Sequence, residues 1–489
     1  MQAPLHFNLV EHVLAPARHD PDKIALAILG PAKAERWSYG RLAEAVARAA
    51  GGLQSTGLTP GAQVMLRLTN SANFPLAFLG TIAAGYIPLV SSAALTSHEV
   101  TRLAEAVVPH AIIADPGVAL PDHAAPVFGT EILQGPKVAP VRRLSDDLAY
   151  IVFTSGTSGQ PKAVRHAHRA IWARGMMVDG WYGLRPTDRV LHAGALNWTY
   201  TLGTGLLDPW AMGATALVPA DGTDPATLGL LAKRHDATIL AGSPGLFRKL
   251  LARDLPAMPK LRHALSAGEA LPPSLRARWR EATGTDIHEA LGMSECSTFL
   301  SGSPARPAPD GCIGYAQEGR NLSVFDDDGA AVPDGTVGHL AIHRSDPGLT
   351  CGITAKGGQT SLPLTNGHFV TGDLVARRPD GAYVYHGRAD DILTAGGFRI
   401  APAEIEAAFD GAPGLTECAA LTIRPNPETT ILALAYAGPA TEDALAAYAE
   451  PNLAKHKRPR VYLRVDALPR GGNGKLNRRA LGAILEESS

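Results

Sequence analysis

Four times along the chain, a stretch with apolar residues at helical spacing hands over to a short apolar run of strand type, and this recurrence limits the fold more than any other feature. Residues 38–54 place Leu42, Ala45, Val46 and Ala49 on one helical face, Gly57 follows as a stop, and VMLRL reads as a strand. The pattern returns in HEVTRLAEAVVPHAIIAD, in LGLLAKRHDATILAGSP and in LRARWREATGTDIHEALG. A helix that delivers the chain to another buried strand is a crossover connection, so the expected fold is α/β with mostly parallel layers. At 489 residues the chain exceeds what a single core supports. Between 305 and 390 the texture changes to short strands punctuated by Asp328-Gly329, Asp334-Gly335 and Asp380-Gly381, a β-rich subdomain that ends near GRADD. From 391 onward a compact segment carries its own apolar runs, ECAALTIR and TILALAYA, enough for a small α+β domain. The expected division is 1–389 and 390–489.

The string YIVFTSGTSGQPKAVRHAHRA carries the first chemistry. An apolar strand, Tyr150 to Phe153, runs into a loop made almost entirely of hydroxyl and glycine residues. Gly156 and Gly159 let backbone N–H groups approach phosphate oxygens, Thr154, Ser155, Thr157 and Ser158 offer hydroxyls, and Lys162 supplies a positive charge. The loop suits a polyphosphate. Its spacing is not that of a Walker loop, which needs Gly-Lys-Ser/Thr opening a helix. A flexible Ser/Gly linker is the competing reading, but linkers seldom follow a buried-type strand and end in Pro-Lys.

Bulk composition excludes several functions. Formal charge is −1, with 45 Lys+Arg against 46 Asp+Glu, so nothing favours a sequence-independent grip on nucleic acid or membrane. Cys296, Cys312, Cys351 and Cys418 lie far apart with no CxxC pair, against a disulfide framework or a structural zinc site and in favour of reduced thiols in a cytoplasmic protein. The first residues lack a basic segment followed by an apolar core, so no signal peptide is expected. FPLAFLGTIAAGYIPLV, broken by Gly80, Gly85 and Pro88, reads as a buried helix leading to a strand and not as a membrane span.

Five separated strings then point to one family. FTSGTSGQPKA (153–163), SAGEALP (266–272), EALGMSEC (289–296), FVTGDLVARRPDG (369–381) with GRADDILTAGGFRIAPAEIE (387–406), and LPRGGNGKLNRRAL (468–481) resemble, in order and spacing, the motifs of the adenylate-forming superfamily of acyl-CoA synthetases, amino-acid adenylation domains and luciferases. The resemblance covers nearly the whole chain and implies ATP and Mg2+ as cofactors and a hinge between the two domains.

What it implies residue by residue is as follows. Gly268, Glu269 and Ala270 form a wall of the adenine slot, with Glu289 and Gly292 bordering it; Leu291 stands where an aromatic usually stacks on adenine, and Ser294 replaces threonine. Glu295 and Thr154 hold magnesium, a hard cation that takes oxygen ligands alongside a triphosphate. Asp373 accepts hydrogen bonds from both ribose hydroxyls, which one carboxylate can span. Arg388 contacts ribose and phosphate, and Arg399 is a second phosphate cation or else a surface residue. Lys475 bridges the substrate carboxylate and the α-phosphate, where negative charge accumulates in the transition state. Departures from the family pattern are Ala163 after Pro-Lys, and Gly471 and Asn473 near the lysine.

The implied reaction is attack of a carboxylate on the α-phosphate of ATP, loss of pyrophosphate, and capture of the acyl-adenylate by a thiol, here coenzyme A. Catalysis would be positioning and charge neutralisation. Relatives alternate between two arrangements of the C-terminal domain about the first acid of GRADD, here Asp390, and the second arrangement brings Gly396 and Gly397 to a pantetheine arm. For the acyl pocket, Trp198 and Tyr200 are candidates, with core aromatics as the alternative; Ala267 and Met293 join by position. Gly292 falls where acetyl-specific relatives carry tryptophan, which leaves room for a short-to-medium aliphatic or an aromatic acid. No acid precedes Asp208 to hold an ammonium, against an α-amino acid substrate. KHKRPR at 455–460 is a candidate for the CoA 3′-phosphate, or a solvated basic face. The expected partners are a small carboxylic acid, ATP and CoA, with no nucleic acid and no membrane span, and a homodimer is compatible. The alternative function is a stand-alone adenylation enzyme that loads a carrier protein. A non-catalytic ATP sensor is disfavoured by the joint presence of Lys475, Glu295 and Asp373.

Overall fold

A computed structural model describes residues 3–30, 32–155, 161–354, 358–395, 398–426, 429–470 and 476–487. Local signals set the helices of the N-terminal region. Helix Tyr39–Gln54 opens where the Ser38 hydroxyl accepts the Arg41 N–H, buries Leu42, Val46, Ala49 and Leu53, and is followed by Gly57 at φ +74°. Helix Ser97–Val107 opens on a reciprocal capping box between Thr96 and Glu99. Helix Pro273–Thr283 stops at Gly284, φ +69°. FPLAFLGTIAAGYIPLV forms helix Asn73–Ala83, buried on nearly every side, and strand Ile87–Val90. No helix among the described residues is long and apolar enough to cross a membrane.

Two large sheets organise these elements. Among the described residues one has eight strands, with Gln63–Arg67 parallel to Ile87–Val90 and to Ala111–Ala114, and Leu148–Ser155 parallel to Ile87–Val90. The other has thirteen. Its parallel half runs Ile24–Leu29, Thr215–Pro219, Arg189–His192, Ile239–Gly242, His263–Ala267, Ile287–Met293. These strands are almost wholly buried, as parallel strands covered on both faces must be. The β-rich stretch beyond 305 does not close on itself. Its strands, including Val337–His343, His368–Arg377 and Ala382–Arg388, continue the same sheet in antiparallel order through the hairpin Ile287–Met293/Ser297–Ser301. An unpaired edge is thereby covered by the next piece of chain.

Beyond residue 392 the chain builds separate cores. A three-stranded sheet, Glu417–Asn426, Thr429–Ala437 and Val461–Arg464, buries Ile405, Phe409, Leu434 and Leu445 on one face and Ala419, Ala433, Leu481 and Leu485 on the other. This small α+β unit faces the carboxyl ends of the parallel strands across a cleft of about 2110 Å³.

Candidate active site

The cleft lies beyond the carboxyl ends of parallel strands of the thirteen-stranded sheet, lined by Gly194, Ser243 and Gly268, which is the side on which open α/β sheets bind ligands. Its wall on the large unit includes Thr154, Lys162, Trp198, Gly268, Glu269, Ala270, Glu289, Leu291, Gly292, Met293, Ser294, Glu295, Asp373, Arg388 and Asp390. Residues from opposite ends of the sequence thus share one surface. Gly156, Thr157, Ser158, Gly159, Gly396, Gly397 and Lys475 lie outside the described residues. The side chains of Ser155 and Arg399 lie outside the description as well, although both positions are in strands.

The hydroxyl-rich loop connects two antiparallel strands, Leu148–Ser155 and Pro161–Ala167, in which Thr154 and Lys162 are register partners. Residues opposite one another in a ladder present their side chains to the same face, so the hydroxyl and the ammonium serve one site. Ala163, the departure after Pro-Lys, is buried against Leu89 and Ile151, where its methyl belongs to the core.

Glu295 sits in the turn between Ile287–Met293 and Ser297–Ser301, and its neighbours are fixed from several sides. The Thr350 N–H donates to the Glu295 carbonyl at 2.7 Å. The His166 Nε2–H donates to the Ser294 carbonyl at 2.8 Å; a carbonyl only accepts, so Nε2 carries the proton. Burial pushes the His166 pKa down to about 4, which keeps the ring neutral. The Ser294 hydroxyl pairs with Thr199 at 3.1 Å. Cys296 lies 3.6 Å from the Asp346 carboxylate, itself paired at 2.7 Å with Arg320 in a fully enclosed ion pair. Ser297, at φ +64°, accepts from Arg174, whose guanidinium also holds Asp208 bidentately at 2.6 Å and 2.6 Å. Two buried ion pairs therefore brace the residues immediately after Glu295. Sequence reading missed them; the available signal was charge inside apolar runs, Arg174 in AIWARGMM and Asp208 in GLLDPWAM.

Asp373 and Arg388 face each other across adjacent strands. Arg388 donates to Asp373 at 3.3 Å and to the Thr371 carbonyl at 2.9 Å, and Tyr385 reaches Asp373 at 3.4 Å. Burial opposes the Arg388 charge, but Asp373 and Tyr385 outweigh it and raise its pKa. Gly372, at φ +79°, makes room: a Cβ there would lie 2.9 Å from Arg388 Nη2. The result is a largely buried carboxylate on the cleft wall, held by a cation and of a kind suited to a diol. Asp390 is in a 3₁₀ turn with its carboxylate 4.0 Å from Arg388.

Glu289 accepts from the Leu271 N–H at 2.8 Å and from Arg276 at 3.2 Å, and burial pushes its pKa up to about 7. Glu269, on the turn after strand His263–Ala267, is held by the other unit: Arg470 donates to both its oxygens, at 2.9 Å and 3.3 Å.

The acyl-pocket candidates separate. Trp198 and Met293 line the cleft. Tyr200 stands behind Trp198, its ring stacked on Trp181 at 5.7 Å and its hydroxyl donating to the Leu265 carbonyl at 3.1 Å, and Ala267 is buried in the same cluster. Neither is among the cleft-lining residues: Ala267 is buried with Trp181 and Met177, and Tyr200 is partly buried against the same cluster. Gly292 lines the cleft, and the backbone gives a second reason for glycine there. A Cβ there would meet backbone, 2.5 Å from the Ser297 carbonyl oxygen and 2.6 Å from the Thr298 Cα, so the register shift of the hairpin demands glycine irrespective of substrate. In KHKRPR, Lys457 pairs with Glu404, and Arg458 donates to the Leu453 and Glu450 carbonyls, so these two cations are engaged within the small unit.

Magnesium needs oxygen donors, and the residues fit it in a restricted sense. Thr154 and Glu295 share the cleft, while no cluster of three or more His, Cys, Asp or Glu able to hold a metal occurs among the described residues. One carboxylate and one hydroxyl suit a cation that arrives with triphosphate oxygens and keeps several waters.

Comparison with known proteins agrees with this geometry. The chain is 30% identical over 481 residues to the benzoate–CoA ligase of Thauera aromatica, covering 90% of each chain. It is 28% identical over 495 residues to the 3-hydroxybenzoate–CoA ligase of Aromatoleum sp. (strain CIB), covering 94% of this chain and 93% of that one. The crystal structure of ATP-bound MatB from Rhodopseudomonas palustris superposes with a TM-score of 0.88 at 25% identity, covering 100% of both chains. Residues 14–352 match the family of AMP-binding enzymes, and the chain belongs to that family, within the adenylate-forming superfamily its motifs resemble.

Proposed function

We propose that the protein is an AMP-forming acid–CoA ligase: it joins a carboxylic acid to AMP with release of pyrophosphate, then passes the acyl group to coenzyme A. The observation that carries this reading is the convergence of Thr154, Lys162, Glu295, Asp373 and Arg388, from separated segments, on one cleft. Asp373 would orient the ribose, and the strand pair bearing Thr154 and Lys162 would hold the phosphates. Lys475 would neutralise the acid carboxylate and the α-phosphate as they meet, which lowers the barrier only if the cation is delivered when charge develops. A magnesium ion held by Glu295, Thr154 and the nucleotide would supply further charge neutralisation.

For the acid, the aromatic class is favoured over the short-to-medium aliphatic one. Two relatives spanning nearly the whole chain are named for benzoate and hydroxybenzoate, and Trp198 and Met293 give the cleft a wall able to pack on a ring. A reducing, cytoplasmic setting is part of the proposal and is supported by four unpaired cysteines.

The test is pyrophosphate release across acetate, butyrate, octanoate, benzoate, 3-hydroxybenzoate and cinnamate, each with and without CoA. Acid-dependent pyrophosphate with CoA-dependent accumulation of AMP, highest for the aromatic acids, is expected. Thioester formed only on a carrier protein would transfer the reading to an adenylation enzyme that loads one.

A further inference from the structure

Trp198 and Met293, which give the cleft a wall able to pack on a ring, are each followed in the chain by a hydroxyl. Thr199 comes after Trp198 at the start of helix Thr199–Leu202, and Ser294 comes after Met293 at the end of strand Ile287–Met293. The two hydroxyls lie 3.1 Å apart and so join segments 95 residues apart in the chain. Both residues are half-buried and line the cleft, with Trp198, Gly292 and Met293 beside them.

The surroundings hold this pair in place. The Ser294 carbonyl accepts from His166 at 2.8 Å, and the Trp198 carbonyl accepts the Leu202 N–H at 2.8 Å. The Trp198 ring stands edge-on to Tyr200, with centroids 5.2 Å apart and planes at 89°. A wall fixed in this way loses little freedom when it binds.

Counting hydrogens shows what the pair still offers. Two hydroxyls carry two hydrogens and four lone pairs. Their mutual bond uses one of each, and neither oxygen has another partner among the described residues. One O–H and three lone pairs remain. A substituent that donates and accepts at once satisfies both needs, and a hydroxyl is such a group. A methyl in its place would leave the O–H facing carbon. An ionised substituent would find no counter-charge in Trp198, Thr199, Gly292, Met293 and Ser294, and the Glu295 carboxylate follows directly in the chain.

We propose that Thr199, together with Ser294, selects a hydroxyl on the ring of an aromatic acid, so that the preferred substrate is a hydroxybenzoate and not benzoate itself. The proposal rests on the ligase reading and narrows its acid class. Thr199 is the member to test, since Ser294 belongs to the motif expected to border the nucleotide.

The experiment measures kcat/KM for pyrophosphate release with benzoate, the 2-, 3- and 4-hydroxybenzoates and the three methylbenzoates, for the full-length protein and for Thr199→Val and Thr199→Ser. The wild-type protein should prefer one hydroxybenzoate, by about tenfold or more, to benzoate and to the methylbenzoate of the same ring pattern. Thr199→Val, which keeps the shape and loses the hydroxyl, should lower the ratio of kcat/KM for that hydroxybenzoate to kcat/KM for benzoate about tenfold, and Thr199→Ser should hold the ratio within about threefold of wild type. Each ratio is taken within one preparation, so a partly unfolded variant leaves it unaltered. An equal fall for both acids, with the ratio kept, would overturn the proposal, as would a wild-type protein that favours no hydroxybenzoate isomer or accepts only aliphatic acids. Absence of acid-dependent pyrophosphate release with every acid, aliphatic ones included, would instead sink the ligase reading itself.

Discussion

Glu289 shows how one side chain can couple stability to pH. Burial raises its pKa from the usual 4.5 to about 7, even though the Leu271 N–H and Arg276 pull the other way. Between about pH 4.5 and 7 the folded protein keeps a proton that the unfolded chain has released, so stability falls as pH rises through this window. The contribution is at most about 3 kcal/mol. Glu289→Gln should flatten that decline in denaturation curves recorded from pH 4.5 to 7.5; parallel pH profiles for variant and wild type would show the carboxyl is not the source. Asp373 was named from its motif and lines the cleft, and the ribose role proposed for it is checked differently. Asp373→Asn should raise the KM for ATP at least tenfold, since a neutral amide cannot accept from both hydroxyls as a carboxylate does, while leaving the KM for the acid within about twofold. Steady-state kinetics with each substrate varied in turn decide it. What no motif announced at this scale is His166, because its partner is a backbone carbonyl 128 residues away.

Among the elements, the hairpin carrying Glu295 is the most constrained. Ser297 holds a left-handed backbone, and the Arg174–Asp208 pair supports it through the Ser297 hydroxyl. Ser297→Ala keeps the unfavourable φ and loses the hydrogen bond, whereas Ser297→Gly removes the cost of that φ. The alanine variant should be less stable than the glycine one by about 1–2 kcal/mol, read by urea unfolding monitored through tryptophan fluorescence. Both variants lose the bond from Arg174, so equal stabilities would mean that the left-handed backbone at 297 costs nothing. The helix read over 38–54 with Gly57 as its stop is found at Tyr39–Gln54, where periodicity and a stop signal agree. The merging of the β-rich stretch into the larger sheet was not legible, because turn chemistry fixes where a strand ends and says nothing of which edge it joins.

Across the whole molecule, the contacts between the large and small units among the described residues include Asp410 with Ser274 and Arg470 with Glu269, beside a large cleft. Lys475→Ala should abolish acyl-adenylate formation yet convert supplied acyl-adenylate to thioester at close to the wild-type rate; loss of both steps would refute a cation needed in one arrangement only. Rapid-quench assays of each half-reaction measure this. The sequence by itself determined the alternation of helix and strand, the hydroxyl loop and the family, because these depend on residues close together in the chain, where periodicity and turn geometry act. Only the tertiary structure decided that Glu269 pairs with Arg470, that Tyr200 and Ala267 pack with Trp181 and Met177, and that two buried ion pairs brace the residues after Glu295. Those outcomes depend on which charges are desolvated together when distant segments close on one another, and no local pattern encodes that pairing.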